Sequence, residues 1–385
     1  MVAFEVSNTT LMGIYVHWPF CESKCPYCDF NSHVKEKIDN FRWCQAFLTE
    51  LKYFANETKD KTVTSIFFGG GTPSLMAPEI TATIIEAVKS HWATKEALEV
   101  TLEANPSTAE IGRFNSFREA GVNRLSLGVQ SLKDKNLKYL GRKHSVSDAK
   151  KAIKLAAKIF PRFSIDLMYG LPGQTRTHWK QELNSAIGIV GNHLSVYQLT
   201  IEPGTPFFRN RVPAANEIVG MELYQDTQTI LENYGFKAYE VSNHTRKDQY
   251  CRHNVDIWRG GDYTGIGPGA HGRLTSATGT DAIYQIHKPD RWLNKVETIG
   301  HATANRFPTG IKERAKELLL TGLRLSDGIS SDKLIEVEVV INEMKLRRMI
   351  GGGFLEMDSE GLRTTASGRL CLNEVLSQLL DNAKH

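Results

Sequence analysis

The chain has 385 residues, 41% hydrophobic and 23% charged, an ordinary globular composition that excludes disorder and low-complexity scaffolds. Lys and Arg number 47 against 43 Asp and Glu, a net +4, too small an excess to point to nucleic acid or an anionic membrane surface. No apolar run approaches the ~18 residues of a membrane span, and the first ten residues lack the basic-then-apolar pattern of a secretory leader.

At ~150 residues per domain the length suggests two to three units. Up to about residue 191, short apolar runs alternate with stretches of helical spacing. Candidate strands are residues 13–17, 63–68, 98–103, 124–128, 164–168 and 194–199, all rich in β-branched or aromatic residues. Helical spacing occupies 41–54, 81–91 and 147–159. Strand–helix repetition predicts parallel βα units, too few for a closed eight-unit barrel. An α/β fold follows, either a partial (β/α)6 barrel or a doubly wound sheet.

A further helix is predicted over 215–234 and a strand over 237–241. Residues 243–273 read as loop, dense in Gly, His, Asp and aromatic residues. After about residue 305 the texture changes. Residues 312–324 form an amphipathic helix, 331–350 hold one or two more, and 354–357 with 362–364 make a hairpin. Ser367 is placed to cap a last helix through Leu380. This small helical, winged-helix-like domain has mixed charge, which suits packing or a partner more than nucleic acid. The expected division is 1–240, 241–305 and 306–385.

Six cysteines stand at 21, 25, 28, 44, 251 and 371. A secreted disulfide framework is usually denser and more even, so a reduced, cytoplasmic protein is expected. Cys21, Cys25 and Cys28 fall within eight residues. Three thiolates on so short a loop can converge on a soft metal centre. A zinc site would need a fourth ligand, for which Cys44 or His33 are candidates. A redox pair would leave one thiol idle. A four-iron cluster would leave one iron open to a small molecule.

Polar residues gather at the ends of the predicted strands. Gly69-Gly70-Gly71-Thr72-Pro73 follows the second strand, and such a turn supplies N–H donors and lets a ligand approach. Glu103 ends the third strand, Gln130 the fourth, and Asp166 lies in the fifth, with Arg142 in a following loop. The C-terminal edge of parallel strands is where such folds place ligands. Carboxylates suit ribose hydroxyls and an ammonium group, and Arg142 suits a carboxylate.

The C-x3-C-x2-C loop with Tyr27 before its last cysteine resembles that of the radical S-adenosylmethionine (SAM) proteins. The strings at 15–20, 25–33, 197–203 and 265–272 resemble the branch that contains oxygen-independent coproporphyrinogen III dehydrogenase and the heme chaperones. The resemblance implies a [4Fe-4S] cluster on Cys21, Cys25 and Cys28, and SAM on the open iron, cleaved to a 5'-deoxyadenosyl radical. It implies SAM contacts from Tyr15, Gly70 and Glu103. Tyr27, Gly71, Thr72, Gln130, Arg142 and Asp166 match positions that hold a second SAM in the dehydrogenase, so one or two SAM molecules are implied.

Two departures favour the chaperones. Phe30 stands where the dehydrogenase has a fourth cysteine, and only 20 residues precede Cys21. The resemblance then implies heme as ligand, respiratory hemoproteins as acceptors and a possible homodimer. The chaperones share a His-Asn-x-x-Tyr-Trp motif linked to heme. Here it reads His253-Asn254-Val255-Asp256-Ile257-Trp258, with Ile257 in the tyrosine position. His253 is the expected heme contact, with Cys251 as an alternative thiolate and Trp258 and Tyr263 as packing residues. His271, flanked by glycines, either lines a pocket or braces a turn.

Overall fold

The apolar runs of the first half become six strands of one sheet: β1 (Leu11–Trp18), β2 (Thr62–Gly70), β3 (Ala93–Ala104), β4 (Arg124–Gln130), β5 (Arg162–Tyr169) and β6 (His193–Gln198). The computed structural model describes residues 10–380; the stretch expected to carry no leader lies, through residue 9, outside them. Successive strands pair in parallel, in chain order. Helices α1 (Asn40–Glu57), α2 (Pro78–His91), α3 (Val146–Ile159) and α4 (Arg176–Ile187) fall between them, and α5 (Glu217–Asn233) follows β6. Local signals start these helices. Asp39 caps α1, Pro78 opens α2, and Ser145 with Asp148 forms a reciprocal capping box on α3.

Strand periodicity separates the two faces. On β4, Leu125, Leu127 and Val129 are buried in the main core, while Arg124, Ser126, Gly128 and Gln130 line an interior cavity. Residues of β2 to β6 all reach that cavity, so the sheet curves around it as an incomplete barrel.

The region read as loop contributes three of the six remaining strands of this sheet, the third running past its end. Of β7 (Lys237–Ala238) and β8 (Asn243–Thr245), β8 pairs antiparallel with β6 and β7 pairs antiparallel with β8. Beyond α6 (Arg252–Trp258), β9 (Asp262–Ile266) pairs parallel with β1. Strands β10 (His271–Ser276), β11 (Gly279–Gln285) and β12 (Thr303–Thr309) continue antiparallel, with α7 (Pro289–Ile299) before the last. The sheet has twelve strands in the order β12-β11-β10-β9-β1-β2-β3-β4-β5-β6-β8-β7. Glycines hid this extension from periodicity. A side chain at Gly265 would lie 2.1 Å from the His271 carbonyl oxygen, so close backbone approach there removes the residues that would have shown alternation. A buried Lys61–Asp262 ion pair at 2.7 Å ties the extension to the barrel.

The C-terminal part has its own core around Leu318, Leu323, Leu362 and Leu376. It contains α8 (Ile311–Gly322), β13 (Ile329–Ser330), α9 (Ser331–Glu336), α10 (Glu343–Gly351), β14 (Leu355–Met357) and β15 (Gly361–Thr364). These strands form a small sheet ordered β13-β15-β14. The single last helix becomes two, α11 (Ala366–Leu370) and α12 (Leu372–Leu380). Thr365, not Ser367, is the cap, accepting from the Gly368 N–H at 3.0 Å. Among the described residues no helix is long and apolar enough to cross a membrane.

Candidate cofactor site

A cavity of about 520 Å³ fills the barrel and opens at the C-terminal ends of its strands. Its rim is the cysteine loop. Phe20–Cys21 pairs with His33–Val34 and closes the loop at its base. Inside it, the Cys28 N–H bonds to the Cys25 carbonyl at 3.1 Å and the Phe207 N–H to the Pro26 carbonyl at 2.9 Å. All three thiols are half-buried and line the cavity. Thr72 Oγ1 donates to Cys21 Sγ at 3.4 Å, and Arg142 Nη1 to Cys25 Sγ at 3.6 Å. Burial raises the pKa of Cys21 and Cys28 above the ordinary thiol value.

Among the described residues no three His, Cys, Asp or Glu side chains are grouped as one metal ion requires. Cys44 instead packs on the main core, and His33 Nε2 pairs with Asn31 Oδ1 at 3.0 Å. A mononuclear zinc site therefore lacks its donors. A cube-shaped cluster asks each thiolate to hold a different iron, and three separate thiols around one cavity mouth fit it. Donors from Thr72 and Arg142 would offset thiolate charge.

Gly70 has φ +110°, and a Cβ there would meet the His17 ring at 2.6 Å. Only glycine fits. The turn does not offer all the free N–H donors expected of it. Gly70 donates to Glu103 Oε2 at 3.2 Å, Gly71 to the Trp18 carbonyl at 2.7 Å, and Thr72 to the Phe20 carbonyl at 2.9 Å. The turn thus positions Glu103 and fastens the cysteine loop.

Two half-buried carboxyls, Glu103 and Asp166, line the cavity. Burial first, then the nearby Asp166 charge, pushes Glu103 up to about 8. Burial pushes Asp166 up to about 6, against hydrogen bonds from Ser195 and Ser126 and the charge of Arg124. Both are in an environment that rewards an incoming cation or hydroxyl donor. Arg142 Nη2 bonds to the Gly128 carbonyl at 2.7 Å and to Asn105 Oδ1. Gln130 adopts φ +67° beside a register shift in the β4–β5 pairing, and Tyr197 Oη donates to its side-chain oxygen. Backbone strain in a non-glycine residue at a ligand-lining position is a common property of sites.

The structure thus brings to one cavity Cys21, Cys25, Cys28 and Tyr27, then Gly70, Gly71 and Thr72, then Glu103, Gln130, Arg142 and Asp166. Tyr15 and His253 stand outside its lining. Tyr15 Oη pairs with His17 Nδ1 at 3.0 Å, and its ring stacks behind the lining residue Phe67. His253 is 3% exposed. Its Nδ1 pairs with Ser65 Oγ at 2.9 Å and its ring stacks on Phe67 at 5.1 Å. Its backbone N–H donates to Glu99, and burial lowers its pKa to about 4. It is a core imidazole in this conformation. Cys251 and Trp258 do reach the cavity, but burial pushes the Cys251 thiol up to about 11.

Sequence reasoning missed Asn105, Arg124, Tyr197, Asn243 and Arg324, which also line the cavity. Asn105 and Arg124 were within reach, since both adjoin strands already identified. Arg324 comes from the C-terminal part and carries no local signal.

Residues 15–186 match the model of the radical SAM superfamily, and residues 312–371 match the HemN C-terminal domain. Over 390 residues the chain is 38% identical to mouse radical S-adenosyl methionine domain-containing protein 1, mitochondrial, spanning 97% of this chain and 88% of the relative. It is 34% identical to the Escherichia coli heme chaperone HemW, spanning 96% and 98%. This chain belongs to the HemW family of radical SAM proteins. The E. coli coproporphyrinogen III oxidase HemN superposes with a TM-score of 0.82 over 97% of this chain and 91% of that one, at 19% identity, which establishes a shared fold. Membership of the radical SAM superfamily implies a [4Fe-4S] cluster and SAM.

Proposed function

We propose that this HemW-family protein is a heme chaperone, holding a [4Fe-4S] cluster and SAM in the barrel and passing bound heme to an acceptor such as a respiratory hemoprotein. The near full-length match to proteins named heme chaperone carries the proposal. When bound, the cluster and SAM supply one-electron cleavage of a carbon–sulfur bond. Cys21, Cys25 and Cys28 hold the cluster. Gly70 sets the Glu103 carboxylate to face the ammonium of SAM, and Tyr15 braces that wall through His17 and Phe67. Tyr27, Gly71, Thr72, Gln130, Arg142 and Asp166 provide the surface for further SAM contacts, including a second molecule. Arg142 also holds a positive charge beside Cys25.

Residues 1–240 serve as the cofactor unit, 241–305 as the heme-related connecting region and 306–385 as the C-terminal unit. Six unpaired thiols suit a reducing compartment such as the cytoplasm, or the interior of the organelle in the animal relatives' names.

The fold shared with HemN favours a second function, oxidative decarboxylation of coproporphyrinogen III in porphyrin biosynthesis. One experiment separates the two. Anaerobically reconstituted protein is given reductant, SAM, an electron acceptor and coproporphyrinogen III, and a parallel sample is titrated with heme. A stoichiometric Soret band with untouched porphyrinogen supports the chaperone. SAM-dependent protoporphyrinogen IX overturns it.

A further inference from the structure

The inward residues of β4 step down the barrel from Gln130, at the end of the strand, through Gly128 and Ser126 to Arg124, which opens it. Glu103 stands opposite Ser126 in the β3–β4 pairing. Arg124 is therefore one inward step, about 7 Å, deeper than the Glu103 level. It is 3% exposed and still lines the cavity, so its guanidinium faces the enclosed floor rather than solvent.

A guanidinium has five N–H donors and keeps its charge in any protein environment. Among the described residues Arg124 makes one side-chain hydrogen bond, from Nη2 to Ser164 Oγ at 3.3 Å, and no ion pair. The nearby acids are engaged elsewhere. Glu99 is held by Arg162 at 2.7 Å and by the Arg252 and His253 N–H groups. Asp166 accepts from Ser126 Oγ at 3.3 Å. Arg142, by contrast, is fully used, on Gly128, Asn105 and Cys25. A buried cation with its donors unspent is costly unless an anion joins it. A second unspent group lies close by. The Cys251 thiol is an electrostatic neighbour of Arg124 and is bonded by the Asn254 N–H. The Asn254 side chain lines the cavity and bonds to no described residue.

We propose that the floor of the cavity is a subsite for a small monocarboxylic acid, with its carboxylate on Arg124 and Asn254 and its carbon chain rising toward Glu103. The planar fork of Arg124 matches a carboxylate with two parallel N–H bonds, and the Asn254 amide supplies a further donor. A single negative charge suits the place, because Glu99 and Asp166 beside Arg124 repel a doubly charged anion. Size sets the other limit. A cavity of about 520 Å³ is of the order that one drug-sized ligand fills, so with SAM at the mouth only a short acid has room below it. The subsite makes the barrel a two-compartment cavity, with the cofactor residues above and an acid anchor beneath.

Full-length, cluster-loaded protein is titrated anaerobically with butyrate, with butyramide and with inorganic phosphate at matched ionic strength, and binding is read by calorimetry and by the shift in unfolding midpoint. Butyrate should bind saturably and raise the midpoint, and the other two should not. Binding should persist without SAM, since Arg124 is the anchor, so failure of the SAM site and failure of this subsite are separable. Arg124→Gln should weaken butyrate by about tenfold or more, the loss of a charged hydrogen-bond donor. Asn254→Leu should weaken it several-fold with the cluster spectrum intact. Wild-type affinity in Arg124→Gln, or in Asn254→Leu should the arginine variant fail to fold, would overturn the subsite. An equal response to butyramide or to phosphate would overturn the carboxylate assignment. No response of the wild-type protein to butyrate would overturn the subsite outright and leave the cluster, SAM and heme readings standing.

Discussion

Glu103 shows how a neighbourhood sets the charge of one residue. Burial and the proximity of Asp166 raise it to about 8. Between the usual carboxylate range and about 8 the folded chain holds a proton that the unfolded chain has released. Rising pH through that window therefore destabilises the empty site. A ligand ammonium reverses the balance, because it binds the ionised form. SAM affinity should therefore fall several-fold per pH unit below pH 8, with proton release on binding. Glu103→Gln should weaken binding and flatten that dependence. Calorimetry in buffers of differing ionisation enthalpy tests this; a variant that keeps the wild-type pH profile would exclude Glu103. Gly70 makes a second case. With φ +110° and the His17 ring in the way of a Cβ, Gly70→Ala should cost about 1–2 kcal/mol from the backbone alone, and more from the clash. Denaturant unfolding measures the loss, and a midpoint equal to wild type would refute the assignment.

Elements are held in place by a few buried polar groups. Glu50 on α1 is fully buried and accepts from the Gly267 N–H at 2.8 Å, the Ala302 N–H at 2.9 Å and Trp292 Nε1 at 3.0 Å. It thereby fastens the turn between β9 and β10, α7 and the approach to β12 onto the barrel helix. Burial raises it to about 7 in spite of those donors. Glu50→Gln replaces one acceptor oxygen with a donor facing N–H groups, and should destabilise by about 1–3 kcal/mol. Unchanged unfolding free energy would refute the fastening. The same elements show why only part of the fold was legible. The six barrel strands announce themselves because alternation and helical spacing are local. The cysteine loop and the polar strand ends were legible for the same reason. Strands β9 and β10 were not, because their glycines serve backbone contact. The burial of His253 was also hidden, since the stacking of α6 on β2 is a tertiary fact. Asn243 and Tyr197 reach the site only through the curvature of the sheet.

At the scale of the whole molecule, the C-terminal part completes the barrel wall. Arg324, just past α8, bonds to Glu240 at 3.0 Å, and both line the cavity. Its guanidinium lies 5.8 Å from the Trp258 ring. Ser326 secures the junction through its N–H to the Tyr239 carbonyl at 2.9 Å and its hydroxyl to the Ala238 carbonyl at 2.7 Å. Glu240 is fully buried and also accepts from the Ser242 N–H and Asn243 Nδ2. Removing Arg324 leaves that carboxylate without its cation inside the protein. Because Arg324 is itself partly exposed, the loss should stay at about 1–3 kcal/mol, below that of a fully enclosed pair. The barrel has its own core, separate from that of the C-terminal part, so the damage should concentrate at the junction. Arg324→Ala should therefore speed amide hydrogen exchange in β8, α6 and α8 while α2 and α3 keep wild-type protection. Arg324→Lys should restore the charge but only part of the protection, lacking the planar fork that faces both Glu240 and Trp258. Uniformly faster exchange across the chain would mean that the pair supports global stability instead, and unchanged exchange would mean that the wall is held by Ser326 and packing alone.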